Sequence, residues 1–131
     1  MAHYIDGFVL PISRRSLDEY RRLVEPTGEI WREHGALDYR EYVSESSMLE
    51  GTRSFTELSG ATGDEVVIFG WVEFESREAR DRINAKVAAD PRMTELIESS
   101  SSGFDAKRMA YGGFREFVLS SVDARRGSGD E

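Results

Sequence analysis

The chain has 131 residues, 39% of them hydrophobic, and no cysteine, which predicts one globular domain without disulfides, thiolate metal sites or cysteine nucleophiles. Its 17 Lys and Arg residues against 25 Asp and Glu residues give a net charge of −8, so we expect nucleic-acid backbones to repel it. No apolar run approaches the ~20 residues that cross a bilayer, and no basic leader precedes the first apolar segment. We therefore expect a cytoplasmic protein without nucleic-acid or membrane partners.

The first predicted element is a β-strand over residues 4–11, along which side chains alternate between two faces. Pro11 lacks a backbone N–H and can close this strand. One face carries an acidic residue among apolar ones: Tyr4, Asp6, Phe8 and Leu10.

A helix is predicted to follow, because apolar residues recur at helical spacing from Leu17 to Trp31. Ser16 is a suitable N-cap, and Gly35 suits the left-handed backbone at which many helices end. Pro26 removes one backbone hydrogen bond, so we expect the helix either to kink there or to divide into two shorter helices.

Two further strands are predicted. Residues 37–43 alternate again, and a Ser-, Gly- and Thr-rich stretch then holds one possible short strand around residues 53–57. The strand over residues 66–74 is apolar on both faces, and a strand of that kind must be covered on both sides.

The second helix is predicted to begin after Ser76 as its N-cap and to end at Asp90, before Pro91. A further turn or two is expected after Pro91. Four basic residues of this segment are interpreted as a solvated helix face: Arg77, Arg80, Arg82 and Lys86.

The last predicted strand spans residues 107–118, and the pair Gly112-Gly113 within it marks a bulge or a close backbone approach. Residues 119–131 are polar and rich in Gly, Ser, Arg and Asp, which predicts a disordered tail. The domain is therefore expected to cover residues 1–118.

The predicted order is strand, helix, strand, strand, helix, strand, which is the α+β, ferredoxin-like βαββαβ pattern with an antiparallel sheet. Two helices cover one face of a four-stranded sheet, whereas the strand over residues 66–74 requires cover on both faces. A second copy of the same sheet would supply that cover, so the sequence predicts a homodimer joined through its sheet faces.

Five segments resemble the bacterial family catalogued as domain of unknown function 1428. They are YIDGFVLP at 4–11, IWREHGAL at 30–37, RDRINAKV at 80–87, ADPR at 89–92 and FDAKRMAYGGF at 104–114. The resemblance covers about residues 3–118 and departs from the family pattern at 26–28 and 44–63. It implies a dimeric α/β-barrel, the fold of small cofactor-free monooxygenases, and it implies neither a known activity nor a cofactor.

Asp6 is the first candidate site residue, because a carboxylate on an apolar strand face is costly to bury unless it is paired. The alternative is a structural ion pair with Lys107 or Arg108, since the first and last strands are neighbours in this fold.

His34 is a second candidate, as an acid or base near neutral pH. The alternative is a histidine that stabilises the C-terminal end of the first helix. The chain has only two histidines and no cysteine, so we expect no metal site.

Tyr39 and Trp71 are candidate ligand-binding rings, because related barrel enzymes line the pocket between sheet and helices with aromatic residues. The alternative places them in the core or the dimer interface. Arg108 is a candidate anchor for an anionic group, with an ion pair to Asp6 or Asp105 as its alternative.

Three hypotheses about function remain open at this stage. The first is a dimeric protein that binds a small apolar or anionic molecule in the cavity between sheet and helices. The second is a cofactor-independent monooxygenase or isomerase in which Asp6 is the base, Arg108 stabilises the oxyanion, and Tyr39 and Trp71 pack the substrate ring. The third is a structural or interaction protein whose cavity has no role.

Overall fold

Four antiparallel strands form one sheet with the predicted ferredoxin-like topology, in which the first and third strands of the chain are central and the second and fourth are at the edges. The computed structural model describes residues 3–45, 49–100 and 102–120, and most of the predicted tail at 119–131 lies outside these residues. The elements in chain order are β1 (Tyr4–Ser13), α1 (Leu17–Glu33), β2 (Asp38–Val43), α2 (Phe55–Ser59), β3 (Glu65–Phe74), α3 (Arg77–Ala89), α4 (Pro91–Ser99) and β4 (Ala110–Arg115).

The strand register decides which side chains face the helices. Asp6 pairs with Val72 on β3 and with Gly113 on β4, and Val72 pairs in turn with Tyr39 on β2. Because directly paired residues point to the same side of a sheet, these positions share one face. The face is the helix-covered one, since Val72 lies in a buried cluster with α1 and α3 residues such as Ile30.

Helix α1 runs unbroken from Leu17 to Glu33 with Pro26 inside it, so the predicted division into two helices is wrong. Packing outweighs the lost backbone bond here, because this helix buries its apolar side against the sheet. The side chain of Thr27 donates a hydrogen bond to the carbonyl oxygen of Leu23 at 2.8 Å, within the same turn as the proline.

The short strand predicted around residues 53–57 is also wrong, because the segment Phe55–Ser59 is the helix α2. The hydroxyl of Ser54 accepts a hydrogen bond from the backbone N–H of Glu57, which caps the helix, and Gly60 ends it in the left-handed conformation with φ at 73°. Helix α2 contacts β1 and β3 on the sheet face away from the other helices.

The last strand is shorter than predicted, because a 3₁₀ turn at Ala106–Arg108 precedes it. Its pairing with β1 is continuous through Gly112 and Gly113, so there is no bulge. The close contact at Gly113 is with a side chain and not with the predicted backbone, because an added Cβ atom would lie 2.1 Å from the hydroxyl oxygen of Tyr4. The Tyr4 side chain therefore occupies the space that a larger residue on β4 would fill.

Candidate functional site

A cavity of about 210 Å³ lies between the sheet and the helices. The core consists of two clusters of buried hydrophobic residues, one that contains Phe74 and one that contains Leu10. Residues from both clusters, or packed against them, line the cavity. The wall is mostly aromatic and aliphatic, with Asp6, Thr27 and Glu41 as its non-aromatic polar members. The lining residues are Asp6, Phe8, Leu10, Tyr20, Leu23, Val24, Thr27, Trp31, Tyr39, Glu41, Val72, Met93, Ile97, Phe104, Met109 and Tyr111.

Asp6 is the most deeply buried charged group in this wall, at 2% exposure. Its Oδ2 atom accepts a hydrogen bond from Nδ2 of Asn84 at 2.8 Å and another from the hydroxyl of Tyr111. Its Oδ1 atom lies 3.5 Å from Nη1 of Arg80 and accepts no hydrogen bond. One carboxylate oxygen is thus fully engaged, while the other has an ion-pair partner but free lone pairs.

Helix α3 supplies both Arg80 and Asn84, which are four residues apart and so lie on the same side of the helix. Arg80 also donates from Nη2 to the hydroxyl of Tyr4 at 3.0 Å, and its guanidinium carbon lies 4.9 Å from the centre of that ring. The side-chain oxygen of Asn84 accepts a hydrogen bond from the indole N–H of Trp31 at 3.1 Å. Helix α3 therefore fixes the position of Asp6 directly through Arg80 and Asn84, and α1 supports it through the hydrogen bond from Trp31 to Asn84.

Tyr111 on β4 is the third residue that contacts the Asp6 carboxylate, after Arg80 and Asn84 of α3. Burial, followed by the hydrogen bond to Asp6, raises the pKa of the Tyr111 phenol to about 12. The phenol therefore stays protonated at neutral pH and continues to donate to Asp6.

A second polar group lies at the β2 side of the cavity. The hydroxyls of Tyr20 and Tyr39 each donate a hydrogen bond of 2.5 Å to Glu41, one to each carboxylate oxygen. Burial raises the pKa of Glu41 against the lowering effect of these two bonds, and burial also raises the pKa of both phenols. Tyr39 is held in place by close packing, because an added Cβ atom on Gly28 of α1 would lie 2.8 Å from its ring.

Of the predicted site residues, the structure brings only Asp6 and Tyr39 to the cavity. Trp71 lies on the opposite sheet face, because it neighbours Val72 along β3 and successive side chains alternate. There it stacks on Tyr42 with ring centres 5.4 Å apart, and it contacts Phe69 edge to face at 6.2 Å. The expectation that Trp71 packs a ligand in this cavity is therefore wrong.

Arg108 is also absent from the cavity wall, and neither it nor Lys107 pairs with Asp6. Arg108 donates two hydrogen bonds to Glu65, at 2.6 and 2.9 Å, and one to the carbonyl oxygen of Gly60 at 3.1 Å. The structural partner predicted for Asp6 was wrong because the cation comes from helix α3, as Arg80, and not from β4.

His34 lies at the C-terminal end of α1, where it bonds to Asp90, the N-cap of α4, at 2.9 Å. It is not part of the cavity wall. This placement favours its alternative role as a structural residue at a helix end, joining α1 to the start of α4.

Sequence reasoning missed five polar residues of the site, which are Tyr20, Glu41, Arg80, Asn84 and Tyr111. Arg80 was interpreted as solvated, yet its side chain is only 19% exposed and faces Asp6. The available signal was the spacing of Arg80 and Asn84, which flank the apolar stripe of α3 at positions i and i+4. Glu41 shares its strand face with Tyr39, and that alternation was the only sign of its position.

Within residues 3–45, 49–100 and 102–120, no group of three or more His, Cys, Asp or Glu side chains could hold a metal ion. The helices of the same residues include none long and apolar enough to cross a membrane.

Comparison with solved structures places the fold among known proteins. A NIPSNAP family protein of unknown function from Agrobacterium tumefaciens matches with a TM-score of 0.59 and 18% identity, over 92% of this chain and 93% of its own. A NIPSNAP-like domain protein from Burkholderia xenovorans matches with a TM-score of 0.51 and 13% identity, over 90% of this chain and 86% of its own. At these identities the likeness shows the fold alone.

Comparison of sequences identifies the family. The uncharacterized protein YbaA of Escherichia coli (strain K12) is 36% identical over 115 residues, which are 88% of this chain and 97% of that protein. The family model described as "Protein of unknown function (DUF1428)" matches residues 3–106. The chain therefore belongs to the DUF1428 family.

Proposed function

We propose that this protein binds a small, largely apolar molecule in the cavity between sheet and helices, and that a hydrogen-bond donor on the molecule reaches Asp6. The observation that carries the proposal is the Oδ1 atom of Asp6, which is buried in the cavity wall and accepts no hydrogen bond. A buried acceptor without a hydrogen bond is unfavourable by about 1–3 kcal/mol. The Arg80 cation 3.5 Å from Oδ1 offsets part of this cost, and a bound donor would recover the remainder.

The other polar groups of the wall also favour a ligand that donates. Each hydroxyl near the cavity is already used as a donor: Thr27 to Leu23, Tyr20 and Tyr39 to Glu41, and Tyr111 to Asp6. No lysine, arginine or histidine is among the lining residues of the described chain. The anionic ligand considered from the sequence therefore has little support, because nothing in the wall would neutralise it.

The protein is also proposed to form a homodimer through its open sheet face, which is the face of the sheet away from α1 and α3. That face carries an apolar patch of Ile5, Val9, Tyr42, Phe55, Phe69, Trp71 and Phe114, which we call the open-face patch. Phe69 is 42% exposed and Phe114 is 57% exposed. Contiguous aromatic surface of this kind marks an interface, and an equivalent sheet would present complementary apolar area.

The cytoplasmic location expected from the sequence remains a prediction.

The binding proposal is tested by calorimetric titration of the full chain with 2-phenylethanol, a neutral molecule with an apolar ring and one donor. We expect saturable binding that Asp6→Asn weakens about tenfold or more, since a hydrogen bond to a charged group contributes about 1.5–3 kcal/mol. Asp81→Asn is the matched control, because Asp81 contacts the other side of Arg80 with its side chain 62% exposed. Absence of alcohol binding, or equal weakening by both variants, would overturn the role of Asp6 as the acceptor for the ligand.

A cofactor-independent monooxygenase or isomerase with Asp6 as base is the second candidate. The free lone pairs of Oδ1 favour it, since a base must be able to accept the substrate proton. The engaged donors of the wall oppose it, since oxyanion stabilisation requires donors aimed at the substrate. Oxygen consumption with a quinol that is abolished in Asp6→Asn would favour this enzyme over simple binding.

A further inference from the structure

The charges around the cavity are unequally compensated. Among the residues that the structure describes, Asp6 and Glu41 are the only formally charged ones in its wall, and both are acidic. Asp6 has a cation 3.5 Å away in Arg80. Glu41, by contrast, forms no ion pair with any residue of the described part of the chain, and its two hydrogen-bond partners are neutral phenols. When Glu41 is ionised, its charge therefore has no ion-pair partner among the described residues.

The surroundings of Glu41 suit a cation better than a neutral group. Its oxygens each accept one tyrosine hydroxyl and retain further lone pairs. The ring of Tyr39 lies 6.0 Å from that of Trp31 and 6.5 Å from that of Phe8, so several π-systems border the same space. Aromatic rings beside a carboxylate attract ammonium groups through both Coulomb and cation–π interactions.

We propose that the ligand is a small amine, with its ammonium group paired to Glu41 and its apolar body in the aromatic part of the cavity. This inference rests on the proposed binding function and names the ligand class for the same cavity. The uncompensated carboxylate beside aromatic rings is the observation that carries it.

The dimensions of the site limit the size of the amine. Glu41 shares its register level with Phe8, two strands away, and Asp6 lies two residues further along β1. Strand spacing and rise place the Cα atoms of Asp6 and Glu41 about 12 Å apart. A molecule with one ring and a two-carbon arm spans part of this distance and fits within 210 Å³. A second donor on the ring, such as a hydroxyl, would reach toward Asp6.

An open groove on the other side of Glu41 is a poorer site for the same group. It lies between α1 and β2, shares Tyr20, Tyr39 and Glu41 with the cavity, and also carries Arg21 and Arg32. Glu25 and Glu29 line the same groove and offset these two cations, so the charges of α1 add no net attraction for an ammonium group there. The rings of Phe8 and Trp31, which border the cavity, are not among the described residues that line the groove.

Three probes of one skeleton test the inference by calorimetry at neutral pH: 2-phenylethylamine as the cation, 2-phenylethanol as the neutral form and 3-phenylpropionate as the anion. We expect the amine to bind at least about tenfold more tightly than the alcohol, and the anion to give no measurable heat. If the alcohol binds and the amine is no tighter, the amine inference is wrong while the binding function stands. If none of the three binds, the binding function itself is wrong.

Glu41→Gln supplies the decisive variant, because it removes the charge and keeps the size of the side chain. We expect it to reduce the affinity for the amine to the affinity that the same variant has for the alcohol, and its urea denaturation reports whether the variant is folded. Asp18→Asn, at an exposed position of α1 outside both the groove and the cavity, is the control for the general field of the protein. Retention of the amine preference in Glu41→Gln, or its equal loss in Asp18→Asn, would overturn the assignment of Glu41.

Discussion

Asn84 anchors Asp6 across two layers of the fold: its Nδ2 atom on helix α3 donates to Oδ2 of Asp6 on strand β1 at 2.8 Å. Its oxygen simultaneously accepts the indole N–H of Trp31 on α1 at 3.1 Å. One amide therefore joins α1, α3 and the sheet beside the cavity. An asparagine can serve both partners because its amide carries a donor and an acceptor.

Replacement of this amide should destabilise the protein. Asn84→Ala removes a donor to a buried carboxylate and leaves the indole N–H of Trp31 without its acceptor. We expect the free energy of unfolding to fall by about 2–4 kcal/mol, measured by urea denaturation. Arg82→Ala, at an exposed position of the same helix, should change it by less than about 0.5 kcal/mol. Equal effects of the two variants would contradict a structural role of Asn84.

The neighbouring glycines of β4 offer a matched pair of variants. An added Cβ atom at Gly113 would lie 2.1 Å from the Tyr4 hydroxyl, whereas at Gly112 its nearest neighbour would be 3.7 Å away. Gly113→Ala must displace Tyr4 and with it the bond to Arg80, so we expect a loss of about 1–3 kcal/mol in the free energy of unfolding. Gly112→Ala should be nearly neutral, and an effect equal to that of Gly113→Ala would argue against the close approach.

The dependence of stability on acid pH should report the ion pair of Glu65 and Arg108. The hydrogen bond from Arg108 is the main cause that lowers the pKa of Glu65 to about 2, below its value of about 4.3 in an unfolded chain. A depressed folded-state pKa stabilises the protein above the unfolded value, and this contribution is lost as the pH falls from about 4.3 toward about 2. The melting temperature of wild type should therefore fall across that window.

Arg108→Gln removes the cause of the shift and should flatten this part of the profile, although by a small amount because the pair is accessible to water. Lys107→Gln, next to it in the chain and exposed, is the control. A profile for Arg108→Gln that matches wild type between these pH values would contradict the assignment.

The proposed dimer is tested by placing a charge in the open-face patch. Phe69→Glu puts a carboxylate where the second sheet is expected, and burying an unpaired charge there is costly. We expect native mass spectrometry to show a dimer for wild type and a monomer for Phe69→Glu. Phe117→Glu, at a position 86% exposed beyond the end of β4, should remain dimeric. A monomeric wild type would contradict the sheet-to-sheet dimer.

The sequence predicted β1 and β2 well because their alternation is strong, and it found Asp6 because a carboxylate interrupts an apolar face. It could not place Trp71, since β3 is apolar on both faces and only its pairing with β1 decides which side Trp71 occupies. Arg80 was misjudged for a related reason. A basic residue beside an apolar helical stripe has the same pattern whether it meets solvent or a carboxylate from a distant strand.

The two tryptophans allow the most direct test of the central claim, which is that the cavity beside Asp6 binds a small donor-bearing molecule. Trp31 lines that cavity and Trp71 lies on the opposite sheet face. In a titration of isotope-labelled protein with 2-phenylethanol, followed through the indole N–H signals, the binding account predicts a saturable shift of the Trp31 signal and a stationary Trp71 signal. A stationary Trp31 signal, or a shift confined to Trp71, would contradict it.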